Sequence, residues 1–340
     1  MRRIRVAQIG TSRYSHGADI FATLVKNPDA FEIVGYALPE GEKEKFPFSH
    51  KTFCGYREMS VDEIMQDESI EAVIIETEEL YLTKYALLAA KHGKHIHMEK
   101  PGGLSLADFE ALIATAKARG LVFHTGYMYR YSPVISDIIK RVKGGELGKV
   151  ISVEAQMSGW RDEAQARFLK AFPGGMMFFL GCHLVDLVLQ LQGKPQRIIP
   201  FHKSSGVYNT EAKDLAAAVF EYPNGVSFIK TTQAERGGFL KRRLVVTGSE
   251  GRFEVCPLEV NESYPLQYAE YDECGSTDWN AVSERKRSES YDRYDAMMLS
   301  FAEMVRGDKE NPYTYDYELD LFKTVLECCK EESYESNPGK

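Results

Sequence analysis

The chain has 340 residues, 44% of them hydrophobic and 27% charged, with a formal net charge of −8. That balance describes a folded chain long enough for two domains, and its acidity excludes a basic nucleic-acid footprint. The apolar runs are too short for a membrane span and no secretory h-region follows Met1. Six cysteines without zinc or disulfide spacing fit a reducing cytoplasm.

In chain order, Ile4 to Ile9 reads as a buried strand ended by Gly10. A helix follows from Gly17 to Lys26, with Ile20, Phe21, Leu24 and Val25 on its inner face, and Asn27-Pro28 stops it. Phe31 to Ala37 is a second strand, so the first forty residues form a βαβ unit, the usual opening of a dinucleotide-binding fold. Of the glycine fingerprint only Gly10 is in place; Ser12 and Ser15 stand at the other two glycine positions. The turn is either a polar loop that binds nothing or a phosphate loop. In the second case Thr11, Ser12, Arg13 and Ser15 meet a pyrophosphate at the helix N-terminus. Leu38 occupies the place of the acid that holds an NAD ribose, and Glu40 is its substitute if the turn is displaced. Arg13, Lys43 and Lys45 are the groups available to a 2′-phosphate.

Ser60 to Glu63 forms a capping box ahead of a short helix. Strands are expected over Glu71 to Ile75, Lys94 to Met98 and Leu121 to His124, with helices over Leu80 to His92 and Ser105 to Arg119. This alternation argues a doubly wound parallel sheet. Glu99-Lys100-Pro101 then sits at the carboxyl end of a strand, where open parallel sheets bind ligands. Lys100 there is either an ordinary strand-end lysine or an acid, a hydrogen-bond donor or the stabiliser of a developing alkoxide. His92, His95 and His97 are joined by no cysteine or regularly spaced acid, so no metal is expected.

The stretch Gly126 to Pro133 is rich in aromatics, either core or the wall of a ligand site, and Pro133 starts a helix. Val150 to Met157, Leu215 to Glu221, Ser227 to Gln233 and Arg243 to Thr247 read as strands, with a hairpin turn at Pro223-Asn224-Gly225. This half is α+β and largely antiparallel. Between its strands, Gly174-Gly175 precedes a helix whose buried side is Leu184, Leu187, Val188 and Leu191. His183 and Asp186 lie three apart on it. His183 is either a satisfied core histidine or a proton-handling group facing an inter-domain cleft.

These pieces resemble the Gfo/Idh/MocA oxidoreductases over essentially the whole chain. The carriers are Gly93-Lys94-His95-Ile96 running into Glu99-Lys100-Pro101, then Gly126-Tyr127-Met128-Tyr129-Arg130 and Gly145-Glu146-Leu147-Gly148-Lys149-Val150. Gly174-Gly175, Gly181 to Asp186 and Gly248-Ser249-Glu250-Gly251 complete them. The resemblance implies a Rossmann domain over 1–125 and an α+β domain over 126–340, built on an open-faced, largely antiparallel sheet for substrate binding and self-association. It implies hydride transfer between NAD, favoured over NADP, and a hydroxyl or carbonyl carbon of a sugar, cyclitol or related polyol. Lys100 and His183 are the expected catalytic pair. Gly10, Thr11, Ser12, Arg13, Ser15, Thr77, Glu99 and Lys100 would hold cofactor, and Tyr127, Trp160, Arg161 and Asp186 would face substrate. A homodimer or homotetramer is expected, without nucleic acid or membrane. Two departures bear on catalysis: Phe179 stands where the family has an aspartate four residues before the histidine, and Thr77-Glu78-Glu79-Leu80-Tyr81 replaces T-P-N-x-x-H. They leave room for a silent dinucleotide-binding sensor, or for an NAD-dependent glycoside hydrolase or dehydratase without net redox change.

Overall fold

Strand β1 (Ile4–Ile9) is buried along almost its whole length, as a central strand covered on both faces must be. In the computed structural model, which describes residues 2–331, it is followed by α1 (Gly17–Lys26), β2 (Phe31–Ala37) and a one-turn helix α2 (Glu42–Lys45). Then come α3 (Val61–Gln66), β3 (Ala72–Ile75), α4 (Leu82–Lys91), β4 (His95–Met98), α5 (Leu106–Ala118) and β5 (Phe123–Thr125). The five strands are parallel in the order β2-β1-β3-β4-β5. Local chemistry sets the boundaries. Ser60 and Glu63 form the expected reciprocal capping box on α3, and the Ser105 hydroxyl caps α5.

From Pro133 the chain builds a second unit. It runs α6 (Pro133–Lys143), β6 (Val150–Ser158), α7 (Glu163–Phe168), a single π-helical turn over Met177–Gly181, and α8 (Cys182–Gln192). Then follow β7 (Arg197–Lys203), β8 (Leu215–Tyr222), β9 (Gly225–Thr232), β10 (Arg243–Gly248), β11 (Arg252–Val255), the hairpin of β12 (Val260–Ser263) and β13 (Leu266–Tyr268), β14 (Glu270–Cys274) and β15 (Lys286–Arg287). The eight-stranded sheet has the order β15-β14-β11-β10-β6-β9-β8-β7 and is antiparallel except where β6 meets β9. Its strands alternate as the sequence pattern demands. Val153 and Ile229 are fully buried on the face that receives α8, while Phe228, next to Ile229 on β9, is 41% exposed. Helix α8 departs from the amphipathic expectation: Cys182 to Leu191 are buried all round, His183 and Asp186 with them.

The chain then returns. Helix α9 (Asp295–Arg306) and the first half of α10 (Tyr315–Cys328) belong to the first unit, which comprises Met1–Ser132 and Asp292–Phe322; the second holds Pro133–Tyr291 and the chain from Lys323. The ranges 1–125 and 126–340 meet at one boundary and give Asp292–Phe322 to the other half; residues 1 and 332–340 of those ranges lie outside the described residues. Contacts at the end of α1 explain the return. Lys26 Nζ reaches Asp292 and Asp295 at 2.8 and 2.5 Å, and Asn27 donates to Asp295. Phe322 stacks on Phe109 at 4.2 Å between centroids.

Candidate active site

The site in the first unit lies where β3, β4 and β5 end together. The Glu99 N–H donates to the Ile75 carbonyl and the Gly126 N–H to the Met98 carbonyl. Lys100 follows at once, 4% exposed, its Nζ 3.7 Å from Glu99 Oε1 and its own N–H donating to that oxygen at 3.0 Å. The Lys100–Pro101 peptide is cis, and Gly103 is tied back to the Thr83 hydroxyl at 2.8 Å.

Three buried carboxyls feel the Lys100 charge: Glu76, Glu79 and Glu99. Burial raises all three, Glu76 well above the usual carboxylate range and Glu79 to about 7; the ammonium works against that rise in each. One cation cannot balance three adjacent carboxylates at low dielectric, so the cluster holds protons at neutral pH. Among the described residues no hydrogen bond reaches the carboxyl oxygens of Glu76. Sequence reasoning missed Glu76 and Glu79. Glu76 was findable: it continues the face of Ile74 two residues on, and Ile74 lies opposite His97. Glu79 depends on how the loop after β3 folds back, which no local pattern encodes.

The turn after β1 is pinned from below. Gly10 has φ +90°, and a Cβ there would fall 2.4 Å from the Thr77 side chain. Gly17, which the fingerprint reading passed over, brings α1 so close that a Cβ would sit 3.0 Å from that of Glu76. It takes the helix-to-strand packing role of a third glycine. The loop donors are held by short side chains: the Ser15 hydroxyl accepts from Ser12 and Gly17 N–H, and the Ser12 hydroxyl accepts from Tyr14 N–H. Arg13 is exposed, its guanidinium 5.5 Å over the Tyr14 ring.

Past the end of β2 the buried acid is Glu42. Glu40 and Gly41 both take left-handed backbone (φ 59° and 71°), which diverts the chain and sets Glu42 fully buried. Its carboxylate accepts from Thr11 N–H at 3.0 Å and Glu78 N–H at 3.3 Å, and burial raises it to about 8. Glu40 is engaged by Lys84 and the Tyr85 hydroxyl, Lys43 by Glu58 and Lys45 by Glu78. The Pro39-Glu40-Gly41 turn was the available signal. A tight glycine turn, N–H donors held by exchangeable hydroxyls at the start of a ten-residue helix, and a carboxylate beside them fit a dinucleotide's phosphates and ribose.

Behind Lys100 the sheet carries a histidine pair. His97 and His124 are opposite in register and both buried, their Nδ1 atoms 2.7 Å apart. Burial pushes His97 down to about 4 and His124 well below its ordinary value.

The remaining expected residues are placed as follows. Tyr127 is 1% exposed with the Arg130 guanidinium 4.6 Å over its ring, so it belongs to the core of the first unit rather than to a ligand wall. In the second unit His183 is 2% exposed, and Asp186 accepts from Gln190 one turn on at 2.8 Å. Phe179 lies in an aromatic cluster with Phe168 and Phe172. Trp160 is 40% exposed beneath the Arg236 guanidinium at 4.1 Å, and Arg161 is at the surface.

Residues 4–127 match the family model described as an oxidoreductase family with NAD-binding Rossmann fold, and residues 135–254 match the GFO/IDH/MocA C-terminal domain. Trans-1,2-dihydrobenzene-1,2-diol dehydrogenase of Sus scrofa is 23% identical over 282 residues, 79% of this chain and 79% of its own length. The 2,7-anhydro-N-acetylneuraminate hydratase of Mediterraneibacter gnavus is 24% identical over 196 residues, 57% of this chain and 50% of its own. The chain thus spans from half to about four-fifths of the length of these relatives. The structure of a levoglucosan dehydrogenase in complex with NADH and levoglucosan superposes with TM-score 0.76 at 17% identity, covering 96% of this chain and 97% of that one, a likeness of fold.

Proposed function

We propose that this chain, which belongs to the GFO/IDH/MocA oxidoreductase family, is an NAD(P)-dependent dehydrogenase that oxidises a hydroxyl of a sugar, cyclitol or related polyol. The observation that carries the reading is Lys100, buried at the carboxyl end of β4 among three carboxyls and one strand away from the Gly10 turn. When bound, the nicotinamide cofactor supplies the hydride chemistry. The loop from Gly10 to Ser15 with Thr77 would hold its pyrophosphate and Glu42 its adenosine ribose. NAD is favoured because no arginine directly follows β2 to meet a 2′-phosphate. The Lys100 ammonium stabilises the developing alkoxide as the carbon gives up hydride, and the hydroxyl proton leaves by way of Lys100, which releases one proton to an ionised carboxyl of the cluster as it takes up the other. His183 acts as helper or substrate ligand, Asp186 supports it, and Trp160 and Arg161 contact the substrate. The half-exposed sheet face bearing Phe228 is proposed to be covered in a homodimer or homotetramer, and the protein to work in the cytoplasm; no helix among the described residues is long and apolar enough to cross a membrane.

A second reading is elimination or hydration with transient hydride transfer. It is favoured by Phe179, which removes one carboxylate, by proton-bearing acids around Lys100, and by the hydratase among the relatives. Sugars, cyclitols and dihydrodiols assayed with NAD and NADP separate the readings. A dehydrogenase accumulates reduced cofactor, the second reading consumes substrate without it, and a silent sensor binds cofactor and does neither. Turnover that survives Lys100→Ala unchanged would overturn the assignment of the lysine.

A further inference from the structure

Four side chains of the first unit form a continuous polar file through an otherwise apolar layer. Tyr131 is half-buried at the end of a short 3-10 turn, and its hydroxyl lies 2.6 Å from His124 Nε2. His124 Nδ1 lies 2.7 Å from His97 Nδ1. His97 Nε2 faces Glu76 Oε1 at 3.5 Å, an approach short of a hydrogen bond, and among the described residues neither atom has a hydrogen-bond partner. Glu76 belongs to the cluster that feels Lys100, together with Glu79 and Glu99; Asp19 also bears on it. Phe301 from α9 packs against both imidazoles at 5.8 and 5.4 Å between centroids, and with His97, His124 and Glu76 all buried the half-buried Tyr131 is the end of the file nearest solvent.

We propose that Glu76, His97, His124 and Tyr131 are a proton path connecting the buried carboxyl cluster at Lys100 to the partly exposed hydroxyl of Tyr131. The Nδ1-to-Nδ1 hydrogen bond requires one ring to carry its proton there and the other to be bare, which locks the two neutral rings into complementary tautomers. Both polarities are complete. In one, protonated Glu76 donates to His97 Nε2, His97 Nδ1–H to His124 Nδ1, and His124 Nε2–H to the Tyr131 oxygen, whose own proton goes to water. Shifting each proton one place toward Tyr131 breaks and forms one O–H or N–H bond at every station and leaves both rings neutral in the opposite polarity, and the reverse shift, fed by a proton from water at Tyr131, restores the first. One proton enters at Glu76 and one leaves at Tyr131. Burial keeps the rings neutral, with Glu99 facing His97, and Arg130 and Lys309 bearing on His124. Two apolar side chains would fill the same layer without the cost of a buried polar chain.

The wiring is tested without substrate, and its use in turnover rests on the dehydrogenase reading. In protein labelled with nitrogen-15 in histidine, a two-bond nitrogen–nitrogen coupling is expected between His97 and His124. Tyr131→Phe should keep that coupling while slowing exchange of the His97 ring proton with solvent about tenfold or more. Absence of the coupling, or equal exchange in wild type and Tyr131→Phe, overturns the path. With a polyol that reduces cofactor, a pH-indicator dye should show proton release in step with hydride transfer in wild type and about tenfold behind it in His124→Gln or, if that variant does not fold, in Tyr131→Phe. Release that keeps pace in the variant overturns its use in turnover. If no compound reduces cofactor, the dehydrogenase reading falls while the exchange measurement still decides the path.

Discussion

The two sheets bury charge in opposite ways. In the second unit two buried carboxylates, Glu259 and Asp272, are matched by arginines. The Arg242 guanidinium lies 2.6 Å from Glu259, and Asp272 is held by Arg252 and Arg285 at 2.8 and 3.1 Å, which lowers its carboxyl below the ordinary range despite burial. At the carboxyl end of the parallel sheet, Glu42, Glu76, Glu79 and Glu99 are buried, with Lys100 bearing on the last three and Lys45 on Glu42, and burial raises all four. Matched pairs hold a fold together and titrate far from neutrality. Unmatched carboxyls cost stability and hold protons near it, which a structural role does not require.

Substitutions sharpen that contrast. The largest effect is expected at Lys100: Lys100→Ala should lower kcat by about 10²–10⁴ with melting temperature little changed. A variant that unfolds while retaining specific activity would place Lys100 with the structural ions. Arg242→Met leaves Glu259 buried without that partner and should cost about 3–5 kcal/mol in denaturant unfolding, with cofactor affinity in the surviving folded fraction unaltered. Stability within 1 kcal/mol of wild type, by the same principle, would remove the matched pair from the comparison. Glu42→Ala should weaken NADH binding by about tenfold and leave NADPH binding unchanged or tighter, read by nicotinamide fluorescence. Equal losses for both cofactors would take Glu42 away from the ribose.

The smallest effect is a pH dependence. Burial raises the Glu79 carboxyl from 4.5 to about 7 in the folded chain. The folded state therefore holds a proton that the unfolded state has lost, a contribution fully present below pH 4.5 and lost as pH rises through about 7. Glu79→Gln, an isostere of the protonated form, should melt with wild type at the acidic end of that window and above it at the alkaline end. A constant difference across the window would show that Glu79 is ionised throughout.

Much of this fold could be read in advance because its signals are local. The βαβ opening, the α3 capping box and the hairpin at Pro223-Asn224 depend on residues within a few positions of one another. Lys100 was visible as well, being fixed by a strand end and a proline. What could not be read is set by distant chain. Glu42 reaches its place through two successive left-handed residues, and Tyr127 is withdrawn into the core by an arginine whose charge is met by Glu318. The partners of the file from Tyr131 to Glu76 are brought together by the register of three strands.

Helix α9 has a consequence for synthesis. The first part of the first unit leaves the ribosome early, yet Phe301, which packs on His97 and His124, and Asp295, which ties down the end of α1, are translated only after Pro133–Tyr291 of the second unit. At ordinary elongation rates the gap between Ser132 and α9 is on the order of ten to thirty seconds. For that interval the nascent first unit has its five strands but not the aromatic lid over its histidines, and a chain stalled between the two should bind apolar dyes that the finished protein refuses.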